Sequence, residues 1–330
     1  MYFQKKKPLI KFLKKGSATR FGRGRYPMVH IFLINPYAGK RTFADGLRKK
    51  LKEIPDFNYF VFNIGHAGEE AELVRKIRNI FDDEKLRFYC CGGSGTMRNM
   101  LNGFDNFDNV EIAFFPCGLS NDFLKLFGKD EERFRLISEL IDGDVIAVDY
   151  IRSNCGVTLN TFSLGIDTRV GERNRRLRFL NFFGDNVSYT LSVFLALIGI
   201  QLKKYVVETE TGEHCRNYAE IFFGNGGVLA GNLRFVEKAN PVDGRADLRL
   251  VYSRHSILYF PILLALIKGN YSYLEKHSYA ERSRFIKIRR EDGGELSVNQ
   301  DGELITGIRE LTAEIVPQGI QFVVPKGVRL

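Results

Sequence analysis

Apolar residues in this chain fall into two kinds of run. Residues 28–36 (MVHIFLINP), 86–91 and 110–116 are almost continuously apolar, the pattern of parallel strands buried on both faces. Between them the spacing changes. Residues 69–81 place Leu73, Ile77, Ile80 and Phe81 on one face of a predicted helix. Strand and helix alternate to about residue 140, which predicts an α/β layer around a parallel sheet.

From residue 145 the texture becomes β-like, with short runs at 145–151, 157–164, 205–210, 218–224, 246–252, 285–289 and 311–316 separated by Gly, Asn and Asp. A second, β-rich, β-sandwich-like domain is expected there. The predicted division is an arm at 1–27, an α/β domain at 28–142 with a return at 318–330, and the β-rich domain at 143–317. Two apolar runs, 187–200 and 257–267, are shorter than the roughly 20 residues that span a bilayer and read as buried or amphipathic helices.

Charge changes this picture at one end. The chain of 330 residues carries a formal net charge of +10, yet residues 1–27 hold nine Lys/Arg and no acid. The remainder is balanced, 40 basic against 39 acidic residues. A basic arm is drawn to polyanions, and the interleaved Pro8, Leu9, Ile10, Phe12 and Leu13 favour an anionic membrane surface over nucleic acid as the partner. The five cysteines are odd in number and have no zinc-ligand spacing, so reduced thiols in a cytoplasmic protein are expected. Lysines break the first apolar stretch, so no signal peptide is expected. The expected location is the cytoplasm, peripheral at the inner membrane surface. The five histidines form no motif, and His30 falls inside a buried strand.

Chemistry gathers in three loops. The strand at 86–91 runs into Gly92-Gly93-Ser94-Gly95-Thr96 and a helix-compatible stretch at 97–101. Glycines there let backbone N–H groups approach phosphate oxygens, and a helix N-terminus adds positive partial charge. Asn35-Pro36-Tyr37-Ala38-Gly39 closes the first strand and Pro116-Cys117-Gly118-Leu119-Ser120-Asn121-Asp122 closes another. All three follow strands of one layer, at the carboxyl edge where such sheets bind ligands. The Walker A and G-x-G-x-x-G patterns are absent, which argues against P-loop and dinucleotide folds.

In order and spacing these loops resemble the motifs of the diacylglycerol kinase catalytic-domain family, which includes sphingosine and ceramide kinases. Asn160-x-x-Ser163-x-Gly165-x-Asp167, Gly224-Asn225-Gly226-Gly227, Pro241-Val242-Asp243-Gly244-x-x-Asp247-Leu248 and Asp301-Gly302-Glu303 look like its later motifs. The resemblance implies an α/β nucleotide-binding domain that holds ATP through Asn35, Gly39, Gly92, Gly93, Ser94, Gly95, Thr96, Gly118 and Asn121. It implies Mg2+ near Asp122 and Asp149, a structural magnesium at Asp243, and Asp301, with Glu303 beside it, as the base for a lipid hydroxyl. Diacylglycerol is the default lipid substrate. From the residues alone, Asp301-Gly302 and Asp243-Gly244 equally read as turns.

Two loops depart from the family pattern. Ser94 stands where the family has Asp, and Leu119-Ser120 replace a Thr-Gly pair. Serine brings no negative charge to a hard dication, so the rival expectation is a nucleotide- or lipid-binding protein that has lost transfer activity. A third is a kinase for a soluble molecule such as NAD, which the arm and the later motifs disfavour.

Overall fold

A computed structural model of the chain describes residues 18–21, 28–38, 43–54, 59–66, 68–117, 121–166, 168, 202–231, 233–252 and 259–330. It divides into two compact units: residues up to Val148 with Gln318–Leu330, and Asp149–Pro317.

The first unit contains β1 (Ala18–Phe21), β2 (Met28–Ile34), α1 (Phe43–Glu53), β3 (Tyr59–Asn63), α2 (Glu69–Ile80), β4 (Lys85–Gly92), α3 (Ser94–Leu101), β5 (Val110–Pro116), a 3-10 segment Asp122–Arg135 broken at Gly128, and α4 (Ile137–Ile141). Strands β3, β2, β4 and β5 pair in parallel in that order. The tail of the long strand at residues 310–324 adds to β5 in parallel, Phe322 opposite Ile112. The apolar runs follow from this position: every residue of β5, and all but the first of β2 and β4, is buried. Helix α2 buries Glu70, Leu73, Val74 and Ile77. Ile80 is only half-buried, and Phe81 is buried just past the helix end.

Three features refine the sequence reading. Helix α3 begins at Ser94 with Gly93 as its N-cap, so Ser94, Gly95 and Thr96 form its first turn and not a loop. Ala18–Phe21, within the basic arm, form an antiparallel edge strand on β3, giving the hydrophobic β3 edge a partner. The rest of the arm lies outside the described residues. His30 is structural: its Nδ1 lies 2.8 Å from the Tyr89 hydroxyl, and burial, helped by the Arg87 charge, lowers its pKa to about 4. Arg87 pairs with Glu111 at 2.7 Å and donates to the Leu140 and Ile141 carbonyls at 2.9 and 2.8 Å, so this buried cation is satisfied.

The second unit takes over within β6 (Asp144–Ser153) and continues through β7 (Gly156–Thr158), β8 (Thr161–Gly165), β9 (Lys203–Thr209), β10 (Gly212–Gly224), β11 (Val228–Leu229), β12 (Leu233–Arg234), β13 (Ala246–Tyr252), α5 (Tyr259–Lys268), α6 (Tyr271–His277), β14 (Ser278–Ser283), β15 (Phe285–Arg290), β16 (Leu296–Gln300), β17 (Glu303–Ile308) and the first half of β18 (Glu310–Val324). Pairing here is antiparallel: β10 meets β8, β9 and β13, β8 meets β16, and β15 joins β9 to β18. One core, including Phe162, Val207, Ile221, Phe223 and Leu248, lies between these strands. A second gathers Tyr259, Ile262 and Leu266 of α5 against Phe222 and Phe235. The apolar run 187–200 is outside the described residues. Among those described, no helix is long and apolar enough to cross a membrane.

Candidate functional site

Strands β2, β4 and β5 end together. Ile34 stands opposite Cys91, and Gly92 opposite Pro116, so the three loops leave one sheet edge. Backbone bonds carry the register beyond the strands, Asn35 N–H to the Cys91 carbonyl at 3.0 Å and Cys117 N–H to the Gly92 carbonyl at 2.8 Å. The Asn35 side chain then joins loop to helix: Nδ2 donates to Thr96 Oγ1 at 2.9 Å, and Oδ1 accepts from the Tyr37 N–H at 2.9 Å. Glycine is required at position 92, because a Cβ there would lie 2.6 Å from both Cβ and Oγ1 of Thr96.

The N-cap of α3 is Gly93, which has no side chain to cap it. Its positive end at the mouth of the Gly92 loop is available to an anion, and a nucleotide phosphate fits that cradle. Asn121 and Asp122 are buried at the start of the 3-10 segment, close behind β5. Gly39 and Gly118 lie outside the described residues. Burial pushes the pKa values of the Cys90, Cys91 and Cys117 thiols upward, which favours their protonated form.

In the second unit Asp301 and Gly302 form the two-residue turn between β16 and β17, with φ of 48° and 90°, so the turn reading holds. The side chain does more. Asp301 Oδ2 accepts from the Thr158 hydroxyl and from the N–H groups of Leu159 and Asn160 at 3.1 and 3.4 Å, while Oδ1 accepts from the Thr161 N–H at 2.8 Å. Burial pushes the Asp301 carboxyl above its ordinary range, opposed by these hydrogen bonds. Glu303 opens β17 opposite Gln300 and is half-buried.

Asp149 is fully buried; its N–H donates to the Pro241 carbonyl at 2.7 Å and its Oδ2 accepts from the Gly244 N–H at 2.6 Å. It therefore clamps the 241–244 turn. Asp243 accepts from the Arg245 N–H at 3.2 Å and is ion-paired with Arg282. Arg282 also reaches Asp247 at 3.4 Å. Burial raises the Asp247 pKa to about 6 against the pull of Arg282. Asn225 connects Asp149 to the Asp301 cradle, its Nδ2 donating to the Asp149 and Leu159 carbonyls at 2.7 and 3.1 Å.

Among the described residues no group of three or more His, Cys, Asp or Glu side chains is gathered to hold a metal. The Asp243 carboxylate, expected to hold a structural magnesium, meets the Arg282 guanidinium. Sequence reading gave no role to Thr158 or Arg282 and saw Asn225 only within a motif; the partners that define them lie far along the chain.

Comparison with known proteins agrees with this architecture. The family model of the diacylglycerol kinase catalytic domain matches residues 30–153, and that of the YegS C-terminal NAD kinase beta sandwich-like domain matches residues 160–324. A Shewanella frigidimarina protein named probable lipid kinase YegS-like is 25% identical over 304 residues, 91% of this chain and 95% of its own. The lipid kinase YegS of Escherichia coli K12 is 24% identical over 242 residues, 71% of this chain and 76% of its own. A crystal structure of a diacylglycerol kinase from Bacillus anthracis superposes with a TM-score of 0.65 at 17% identity, covering 93% of this chain and 100% of that one.

Proposed function

This chain belongs to the diacylglycerol kinase catalytic-domain family of lipid kinases, and on that premise we propose that it transfers the γ-phosphoryl group of ATP to a hydroxyl of a membrane lipid, with diacylglycerol as the substrate. The observation that carries the reading is the α3 N-terminus behind Gly92, with Gly93 at its N-cap, tied to the neighbouring loop through Asn35 and Thr96. Phosphoryl transfer needs mainly positioning and relief of phosphate charge, and a helix N-terminus with close-approaching glycines supplies both.

In this reading Asn35, Gly92, Gly93, Ser94, Gly95, Thr96 and Asn121 hold the nucleotide, joined by Gly39 and Gly118. Asp301 takes the proton of the lipid hydroxyl. Its Oδ1 accepts one bond where Oδ2 accepts three, which leaves Oδ1 the lone pair for that proton. Burial makes the carboxylate a stronger base. Mg2+ would accompany the ATP phosphates, as this ion commonly does with few protein carboxylates. The basic arm would hold the enzyme peripherally at the inner surface of an anionic membrane.

The deciding experiment incubates the protein with labelled ATP, magnesium and a panel of lipids in mixed micelles. A labelled phospholipid from diacylglycerol is the expected product. Label in another lipid would reassign the substrate. One observation favours a retired kinase instead: the first residue of α3 is Ser94 where the resemblance expects an acid. Nucleotide binding without product from any lipid would establish that second reading.

A further inference from the structure

Beside Asp301, three buried oxygens have no hydrogen-bond partner among the described residues: Asn160 Oδ1, Thr161 Oγ1 and Asn225 Oδ1. Their residues are 3%, 0% and 1% exposed. Buried polar atoms left unpartnered oppose folding, so three from neighbouring residues call for a ligand. They belong to one place in the fold. Thr161 of β8 stands opposite Gly224 of β10, and the Asn225 N–H donates to the Asn160 carbonyl at 2.8 Å. The N–H groups of Asn160 and Thr161 both end on the Asp301 carboxylate.

The two amides cannot simply be turned over. Asn225 Nδ2 donates to two carbonyls, of Asp149 and Leu159, and Asn160 Nδ2 donates to the Val228 carbonyl at 3.1 Å. Both Oδ1 atoms are therefore true acceptors. The Asp301 carboxylate adds charge. It is 6% exposed, and its four hydrogen-bond donors among the described residues, one hydroxyl and three backbone N–H groups, are all neutral. A buried anion is ordinarily balanced by a nearby cation.

We propose that Asn160, Thr161 and Asn225 form a site for a monovalent alkali cation, sodium or potassium, seated beside the Asp301 carboxylate. Two amide oxygens and a hydroxyl are hard, neutral donors suited to such an ion. One adjacent carboxylate matches one positive charge. A divalent ion would seek more carboxylates than this cradle offers, and an anion would meet acceptors and a like charge. A water molecule could donate to two of the three oxygens but would bring no charge to Asp301, whose donors among the described residues are neutral. The ion would hold residues 158–161 around Asp301 whether or not the chain transfers phosphate, so the site stands independently of the kinase reading.

The test uses the full chain without nucleotide or lipid. Thermal unfolding is followed in sodium, potassium and tetramethylammonium chloride at matched ionic strength. A ligand that binds only the folded state raises the midpoint with concentration, so the midpoint should be higher in at least one alkali salt than in tetramethylammonium. Thr161→Val, which keeps the shape and removes only the unpartnered hydroxyl, should lose most of that response. Should the variant fail to fold, sodium NMR on the parent serves instead, with line broadening that potassium competes away. Equal midpoints in all three salts, or no specific broadening, would mean that water fills the pocket and would overturn the proposal.

Discussion

Asn35 and Thr96, 61 positions apart in sequence, are joined side chain to side chain, the Asn35 amide donating to the Thr96 hydroxyl at 2.9 Å. The contact sets the loop after β2 against the first turn of α3. Asn35→Ala removes it, and a neutral hydrogen bond is worth about 1 kcal/mol net, so ATP affinity should fall about fivefold in a fluorescent-nucleotide titration. Gly92→Ala, which drives a methyl group into Thr96, should weaken ATP further and lower the melting midpoint as well. Unchanged ATP affinity in the glycine variant would remove this loop from the nucleotide site.

Ser94 opens α3, so Ser94→Asp places a carboxylate at a helix N-terminus, stabilising by about 0.3–1 kcal/mol. The protein without nucleotide should therefore melt higher. With ATP the new charge opposes the phosphates unless a divalent ion lies between them. Half-maximal activity should then come at a lower magnesium concentration, and ATP binding without magnesium should weaken. Overlapping magnesium curves for parent and variant would show that position 94 plays no part in metal handling.

Asp301→Asn should lower phosphoryl transfer by about 10²–10⁴-fold, the usual loss for a positioned base, while ATP affinity stays unchanged. The structure adds a second effect. An amide nitrogen would face backbone N–H donors in the cradle, costing about 1–3 kcal/mol of stability. Steady-state kinetics and urea denaturation separate the two. Activity within about twofold of the parent would end the assignment of Asp301 as base.

Asp247 should leave a mark on stability against pH. Its folded pKa of about 6 exceeds the ordinary 3.8, so between those values the folded protein keeps a proton that the unfolded chain has released. That contribution is whole at low pH, declines as pH rises through the window and is flat above about 6. The shift corresponds to a decline on the order of 3 kcal/mol. Asp247→Asn, neutral throughout, should lose this part of the slope in urea denaturation across the window. Identical slopes in parent and variant would refute it.

The basic arm is best tested by a cut that spares the edge strand, since Ala18–Phe21 pair with β3. Removing residues 1–17 takes away Lys5, Lys6, Lys7, Lys11, Lys14 and Lys15, each worth up to about 1 kcal/mol near an anionic bilayer. Cosedimentation with anionic vesicles should fall sharply and lose its salt dependence. Equal vesicle binding by both lengths at low salt would show that the arm is no anchor.

The sequence by itself determined the parallel layer and the edge at which its loops gather. Strands buried on both faces, such as β2 and β5, must be apolar throughout, and the polar, glycine-bearing turns that end them are visible without coordinates. The Asp301-Gly302 turn was equally legible, because its backbone demands are local. Only the tertiary structure decided where each polar side chain ends. Asp243 meets Arg282 from 39 positions away, Asp301 is enclosed by Thr158 from 143 positions away, and Asn225 reaches back 76 positions to the Asp149 carbonyl. Local spacing records burial, since burial repeats with the period of the element. It carries no record of which distant donor meets a given acceptor, because that depends on how separate strands lie beside one another.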